Sequence, residues 1–271
     1  MKIKRNKDPG ETNLASDLRI FIRMLNPVFI WLSMLAINIQ CHETEITGFL
    51  KDTKGEYIFS NKKSKLVINK ETCKLGLTGE DGILRCIEGA APAFLVNDQW
   101  ITLSRAGRLI SNNEERAILQ ASLSDGSDAS VEVISLSEFG FKIIVRAGEN
   151  DISAIRGIIA LKPVEEIYGF GEMWNGHVAQ RGQSFDIWDK AGTPDECSYM
   201  PYFVSTNNYA FFLNYGGRVS FDVGQSNADE LVYQAPAKFF DITLVSGNSI
   251  ATSVQNFLAI TGMPAKPPFA S

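Results

Sequence analysis

Carboxylates are the side chains of this sequence best suited to chemistry on a neutral substrate. Glu165, Glu166, Glu172, Asp186, Asp189, Asp195, Glu196 and Asp222 crowd into one stretch of the 271 residues. Cleavage of a glycosidic bond uses two such groups, roughly 5–10 Å apart on either side of the bond. Spacing along the chain does not supply that distance, and each carboxylate has a duller use. Glu165 and Glu166 follow Pro163 and read as a solvated strand entry. Asp222, two residues before Gly224, reads as the end of a strand closed by turn hydrogen bonds. Glu172 reads as an acceptor for backbone N–H groups or for Arg181.

The segment from Gln183 to Glu196 mixes aromatics, carboxylates, glycine and proline without a sustained period, a composition that suits an exposed functional loop. Within it Trp188 can stack on a sugar face while Asp189 accepts hydrogen bonds from hydroxyls. The alternative is a core tryptophan beside an aspartate that caps a turn.

Other chemistries lack their residues. There is no Gly-x-Ser-x-Gly elbow and no Gly-x-x-x-x-Gly-Lys phosphate loop. Gly169-Phe170-Gly171 has only the first part of a dinucleotide fingerprint and no βαβ surroundings. The four cysteines, Cys41, Cys73, Cys86 and Cys197, form no Cys-x-x-Cys pair. With His42 and His177 as the only histidines, a zinc site is not expected, nor is any cofactor. The 26 basic and 31 acidic residues leave a net charge of −5, which argues against a nucleic-acid partner. A neutral, hydroxyl-rich ligand fits that balance.

The elements that position these residues begin after a distinct leader. Lys2, Lys4, Arg5, Lys7, Arg19 and Arg23 precede an apolar run from Val28 to Ile37, the pattern of a secretory signal and too short for a membrane span. Residues 1–42 are therefore expected to direct the protein to the periplasm or outside the cell, with no transmembrane domain in the mature form. Cys41 suggests lipidation, but Gln40 stands where a small residue is expected.

From residue 43 short β-type runs dominate. Lys65–Asn69 and Gly82–Ile87 bracket the turn Gly79-Glu80-Asp81-Gly82 and read as a hairpin. Across that turn Cys73 and Cys86 would form either a disulfide or two separate buried thiols. Val131, Val133, Phe139, Phe141, Ile143 and Val145 alternate with period two. Tyr209–Tyr215 and Arg218–Val223 read as a second hairpin turning at Gly216-Gly217, and Lys238–Val245 as a further strand. Residues 112–130 read as exposed connecting structure. One helix follows, capped by Asn248 or Ser249, with Ile250, Val254, Phe257 and Leu258 on one face and Gly262 as its stop. The fold class is all-β, a β-sandwich over 43–262 with one late helix, followed by a Pro-rich linker over 263–271.

The order of the pieces resembles the amino-terminal domain of glycoside hydrolase family 31, which contains α-glucosidases, α-xylosidases and sulfoquinovosidases. The resemblance lies in Glu166-Ile167-Tyr168-Gly169-Phe170-Gly171-Glu172, Arg181-Gly182, Trp188-Asp189, and Tyr199 to Ser205. It continues through Tyr209 to Asn214, Phe221-Asp222-Val223-Gly224 and Thr261 to Pro268. It implies a galactose-mutarotase-like sandwich that packs on a catalytic (β/α)₈ barrel. The catalytic aspartates lie in that barrel, which the linker enters and which these 271 residues are not expected to contain. No catalytic residue is assigned. The resemblance also implies a loop over 183–197 that reaches the barrel mouth, with Asp189 as the position touching the substrate sugar and Trp188 beside it.

The expectation is thus a non-catalytic domain of an α-glycosidase-like enzyme, with an α-linked glycoside and a barrel in the same or another chain as its partners. Such a domain should expose apolar surface around Phe257, Ile260 and the Pro-rich tail. The alternative is a stand-alone carbohydrate-binding module.

Overall fold

The structure is a computed structural model that describes residues 48–148, 151–172, 176–188 and 198–262. The chain separates into two units, Met1–Glu43 and Thr44–Ser271. The expected leader and its cysteine, the Pro-rich linker, Cys197 and Asp189 all lie outside the described residues.

All strand pairings are antiparallel. The first sheet runs β1 (Leu50–Asp52), β2 (Glu56–Ser60), β3 (Ser64–Asn69), β4 (Leu75–Gly79) and the start of β5 (Leu84–Val96). β5 and β6 (Gln99–Asn112) are long enough to leave one sheet and enter the next, so every strand is connected. The second sheet has the order β6, β5, β10 (Ile152–Ala160), β16 (Glu230–Ala235), β15 (Val219–Val223), β12 (Gln183–Ile187). The third has the order β11 (Ile167–Gly171), β13 (Tyr199–Ser205), β14 (Tyr209–Leu213), β17 (Phe240–Ser246), β9 (Gly140–Ala147), β8 (Asp128–Ser135), β7 (Arg116–Leu123), β6.

The second and third sheets face each other across an aromatic core. Phe211 of β14 meets Tyr233 of β16 at 5.0 Å between ring centroids, and Phe94 of β5 meets Phe240 of β17 edge-on at 5.2 Å. Burial alternates strictly along β7 and β8, as expected where one face is packed and the other solvated. Alternation vanishes in β17, where every residue is buried, because helix α1 (Ile250–Thr261) covers its outer face. Phe257 of α1 packs with Ala210 and Val245, supported by Tyr202, Phe212 and Ile260.

The helix boundaries follow from capping chemistry. The Ser249 side chain accepts from Thr252 N–H while the Thr252 hydroxyl accepts from Ser249 N–H, a reciprocal cap, and Gly262 ends the helix at φ 101°. The inward face is carried by Ser253 and Phe257, not by Ile250 and Val254.

Pairing differs from the sequence reading in specific places. The Gly79–Gly82 turn joins β5 to β4, a strand over Leu75–Gly79 that intervenes before β3. β14 and β15 are not a hairpin. β14 already has β13 and β17 on its two edges, so the chain must cross to the second sheet, where β15 lies between β12 and β16. Gly217 serves that crossing by close approach and not by positive φ, since a Cβ there would lie 2.7 Å from the Tyr215 ring. Residues 112–130 are not connecting structure, because Ala117, Leu119, Ala121 and Leu123 are core residues of β7. Cys73 and Cys86 are separate buried thiols; burial pushes the Cys73 thiol up to about 12 and Cys86 higher still.

Candidate functional site at the base of the 189–197 segment

Trp188 follows β12 directly and is half-buried. Register places it beside Arg218, because Ile187 pairs with Val219 and Asp186 with Ser220. The Arg218 guanidinium carbon sits 4.9 Å from the centre of the indole, a cation–π arrangement. The same guanidinium forms an ion pair with Asp186, whose other oxygen accepts from the Ser220 hydroxyl. Arg218, and then Ser220, hold the Asp186 carboxyl below the usual carboxylate range. Trp188 is therefore neither a core residue nor a free platform, since one face of its ring is taken by Arg218.

The other end of the segment is tied as well. Ser198 O accepts from Glu172 N–H at 3.1 Å, and Ser198 N–H donates to the Glu172 carboxylate at 3.4 Å. Glu172 thus serves backbone and not Arg181. Beneath both anchors lies Phe170, fully buried, with ring centroids 5.0 Å from Phe185 and 4.8 Å from Phe221.

Gly169, Phe170 and Gly171 all have positive φ, at 131°, 68° and 84°. The Gly-Phe-Gly motif is a bulge in the β11–β13 ladder, with a register shift between Gly169 and Gly171. A Cβ on Gly171 would stand 2.0 Å from Ser198 O, and one on Gly169 2.7 Å from Tyr202 O. The motif lets β11 approach β13 closely while turning Phe170 into the core.

Glu165 is not solvated; it is 2% exposed. Its carboxylate accepts from Ser205 Oγ and Asn207 Nδ2, each at 2.5 Å, and from Lys162 N–H at 2.8 Å. Sequence reasoning missed it because a glutamate after a proline carries no burial signal of its own. Arg181 works next to it, donating to the carbonyls of Lys162, Glu165 and Ala228 at 3.0, 2.7 and 2.7 Å. Together they clip the loops at 162–166, 180–182, 205–207 and 228. Asp222 caps its turn by accepting from Gln225 N–H and Ser226 N–H. Glu165, Glu172, Asp186 and Asp222 are each committed to such contacts and make no acid–base pair. Among the described residues no group of three metal-ligating side chains is present.

The apolar surface is not where it was expected. Phe257 is 5% exposed beneath Tyr202 and Phe212. The exposed large apolar side chains among the described residues are Ile83, Leu84 and Ile87 of the β4–β5 hairpin, Ile110, Val164, Val178, Met200 and Phe239. Val164 is 91% and Val178 83% exposed. Lys162 Nζ donates to Leu84 O at 2.6 Å, and Arg181 donates to Glu165 O beside Val164 at 2.7 Å.

No protein-family model matches the chain. Curated proteins do, two α-xylosidases among them. The α-xylosidase XylQ of Lactiplantibacillus pentosus is 25% identical over 143 residues, 52% of this chain and 19% of that protein. An α-xylosidase of Emericella nidulans is 28% identical over 107 residues, 38% of this chain and 14% of that protein. Among solved structures, a GH31 family sulfoquinovosidase from E. rectale, in complex with an aza-sugar inhibitor, superposes on 81% of this chain and 35% of its own. Its TM-score is 0.53 at 14% identity. The chain resembles one part of a family 31 glycoside hydrolase. It spans about a fifth or less of the curated relatives it matches. The family 31 likeness extends to the all-β sandwich with its late helix. No helix among the described residues is long and apolar enough to cross a membrane.

Proposed function

We propose that this chain is the accessory β-sandwich of a family 31 α-glycosidase, of the galactose-mutarotase-like kind, and that it supports and shapes a catalytic barrel without performing the cleavage. The observation that carries this reading is the exposure of Leu84, Val164 and Val178 on segments that the Lys162–Leu84 and Arg181–Glu165 hydrogen bonds connect. Valines as exposed as Val164 and Val178, with Leu84, suit a surface that a partner domain covers. The committed carboxylates support the same division of labour, because each is spent on structure.

In this reading the 189–197 segment, anchored at Trp188 and at Ser198, carries Asp189 toward the sugar at the barrel mouth. Trp188, held by Arg218, stands beside that contact. The substrate is an α-linked glycoside, and the leader over 1–42 sends the protein to the periplasm or the exterior.

Combining the chain with a barrel-only protein from a family 31 α-xylosidase tests the reading, with hydrolysis of an aryl α-xyloside as the signal. A gain in turnover over the barrel alone is expected. No gain at saturating chain would contradict it.

A further inference from the structure

A cleft opens where strand connections meet the start of α1. It has a volume of about 220 Å³ and is lined by Lys63, Glu80, Phe139, Asn248, Thr252 and Asn256, with Ser246 and Gly247 at its floor. Each wall comes from a different connection: the β2–β3 turn, the β4–β5 turn, the β8–β9 turn, the β17–α1 junction and α1 itself.

The walls are fixed by the backbone. Lys63 N–H donates to Glu138 O at 2.9 Å, Ser246 N–H to Phe139 O at 2.9 Å, and Asn256 Nδ2 to Ser246 O at 2.9 Å. The groups that point into the cleft are not so committed. Among the described residues, no hydrogen bond engages the Glu80 carboxylate, the Asn248 side-chain amide or Asn256 Oδ1, and Lys63 Nζ lies over the Phe139 ring at 5.1 Å, within electrostatic reach of Glu138.

We propose that this cleft binds a single neutral sugar residue, such as a monosaccharide or the end of a glycan. It offers an ammonium donor, a carboxylate acceptor, two amides that both donate and accept, and one aromatic surface. That mixture matches the alternating donors and acceptors of vicinal hydroxyls. An anion is a poor match. Glu80 opposes it, and the nearby N–H groups of Asn248, Ser249 and Thr252 are already satisfied within the helix cap. An apolar ligand would leave the ammonium and carboxylate desolvated without partners. The proposal goes beyond the accessory-domain reading and does not depend on it.

Calorimetric titration of the full chain with xylose, glucose and methyl α-glucoside, and in parallel with sodium sulfate, tests it. Binding of at least one sugar with a Kd in the millimolar range, up to roughly 50 mM, is expected, with no sulfate binding. Lys63→Ala and Asn248→Ala, whose side chains make no hydrogen bond among the described residues, should each weaken that binding about tenfold while leaving the far-ultraviolet circular dichroism unchanged. Absence of sugar binding, preference for sulfate, or full binding in both variants would each overturn the proposal.

Discussion

Arg218 lies over the indole of Trp188 at 4.9 Å while Asp186 holds its guanidinium from the side. The pairing makes the indole part of the β12–β15 frame and not a free swinging group. Arg218→Ala should release the ring. Near-ultraviolet circular dichroism should weaken, and acrylamide should quench the tryptophan emission more strongly. Loss of global stability should stay near 1 kcal/mol, because the pair is largely exposed. Unchanged quenching would show that the ring is held by other contacts.

The pH response of Asp186 follows from the same geometry. Its folded pKa is depressed, so the stability it contributes is present above the unfolded value near 3.9 and is lost as pH falls through the folded one. Glu88 works in the opposite direction. Burial pushes its carboxyl well above the ordinary value, against the single backbone hydrogen bond from Leu75 N–H at 3.0 Å. Its contribution is therefore full below the unfolded pKa near 4.3 and is lost as pH rises through the folded pKa. Urea midpoints measured from pH 5 to pH 8 should fall as Glu88 is forced to ionise. Glu88→Gln should flatten that decline, and an equally steep decline in the variant would contradict the assignment.

Glu165 is expected to be the most costly single carboxylate to remove. Glu165→Ala strands Ser205, Asn207 and the Lys162 N–H in a buried site, at a cost of about 3 kcal/mol. Glu165→Gln keeps the shape and should cost less. Chemical denaturation of both variants gives the comparison directly.

The Gly-Phe-Gly bulge makes an equally sharp prediction. Gly171→Ala places a methyl group 2.0 Å from Ser198 O on a residue at φ 84°. The fold must separate β11 from β13 or distort, at a cost of about 3 kcal/mol or more. A thermal midpoint equal to that of the parent would show that the two strands part freely.

Much of this was readable in the residues, and the exceptions have physical reasons. Strand content, the late helix and its Ser249 and Gly262 caps followed from period, capping and stop signals. Strand partners did not, because a turn motif fixes its own bend but not which sheet edge is open, as β14 and β15 show. The Glu165 network was hidden because Ser205 and Asn207 reach Glu165 only through folding, across 40 and 42 positions. Phe257 and Ile260 looked like a bare interface in the sequence, whereas α1 buries Phe257, and part of Ile260, on its own sheet. Arg218 gave no signal until register set it opposite Trp188.

The central claim is that the surface around Leu84, Val164 and Val178 is covered by a catalytic barrel. The direct measurement is the affinity of the full chain for a barrel-only family 31 partner, by sedimentation or calorimetry, for the parent and for Val164→Glu. Because Val164 is 91% exposed, the substitution leaves the fold intact. The account predicts a complex with the parent and at least about tenfold weaker binding by the variant. No complex, or a complex indifferent to Val164→Glu, would contradict it.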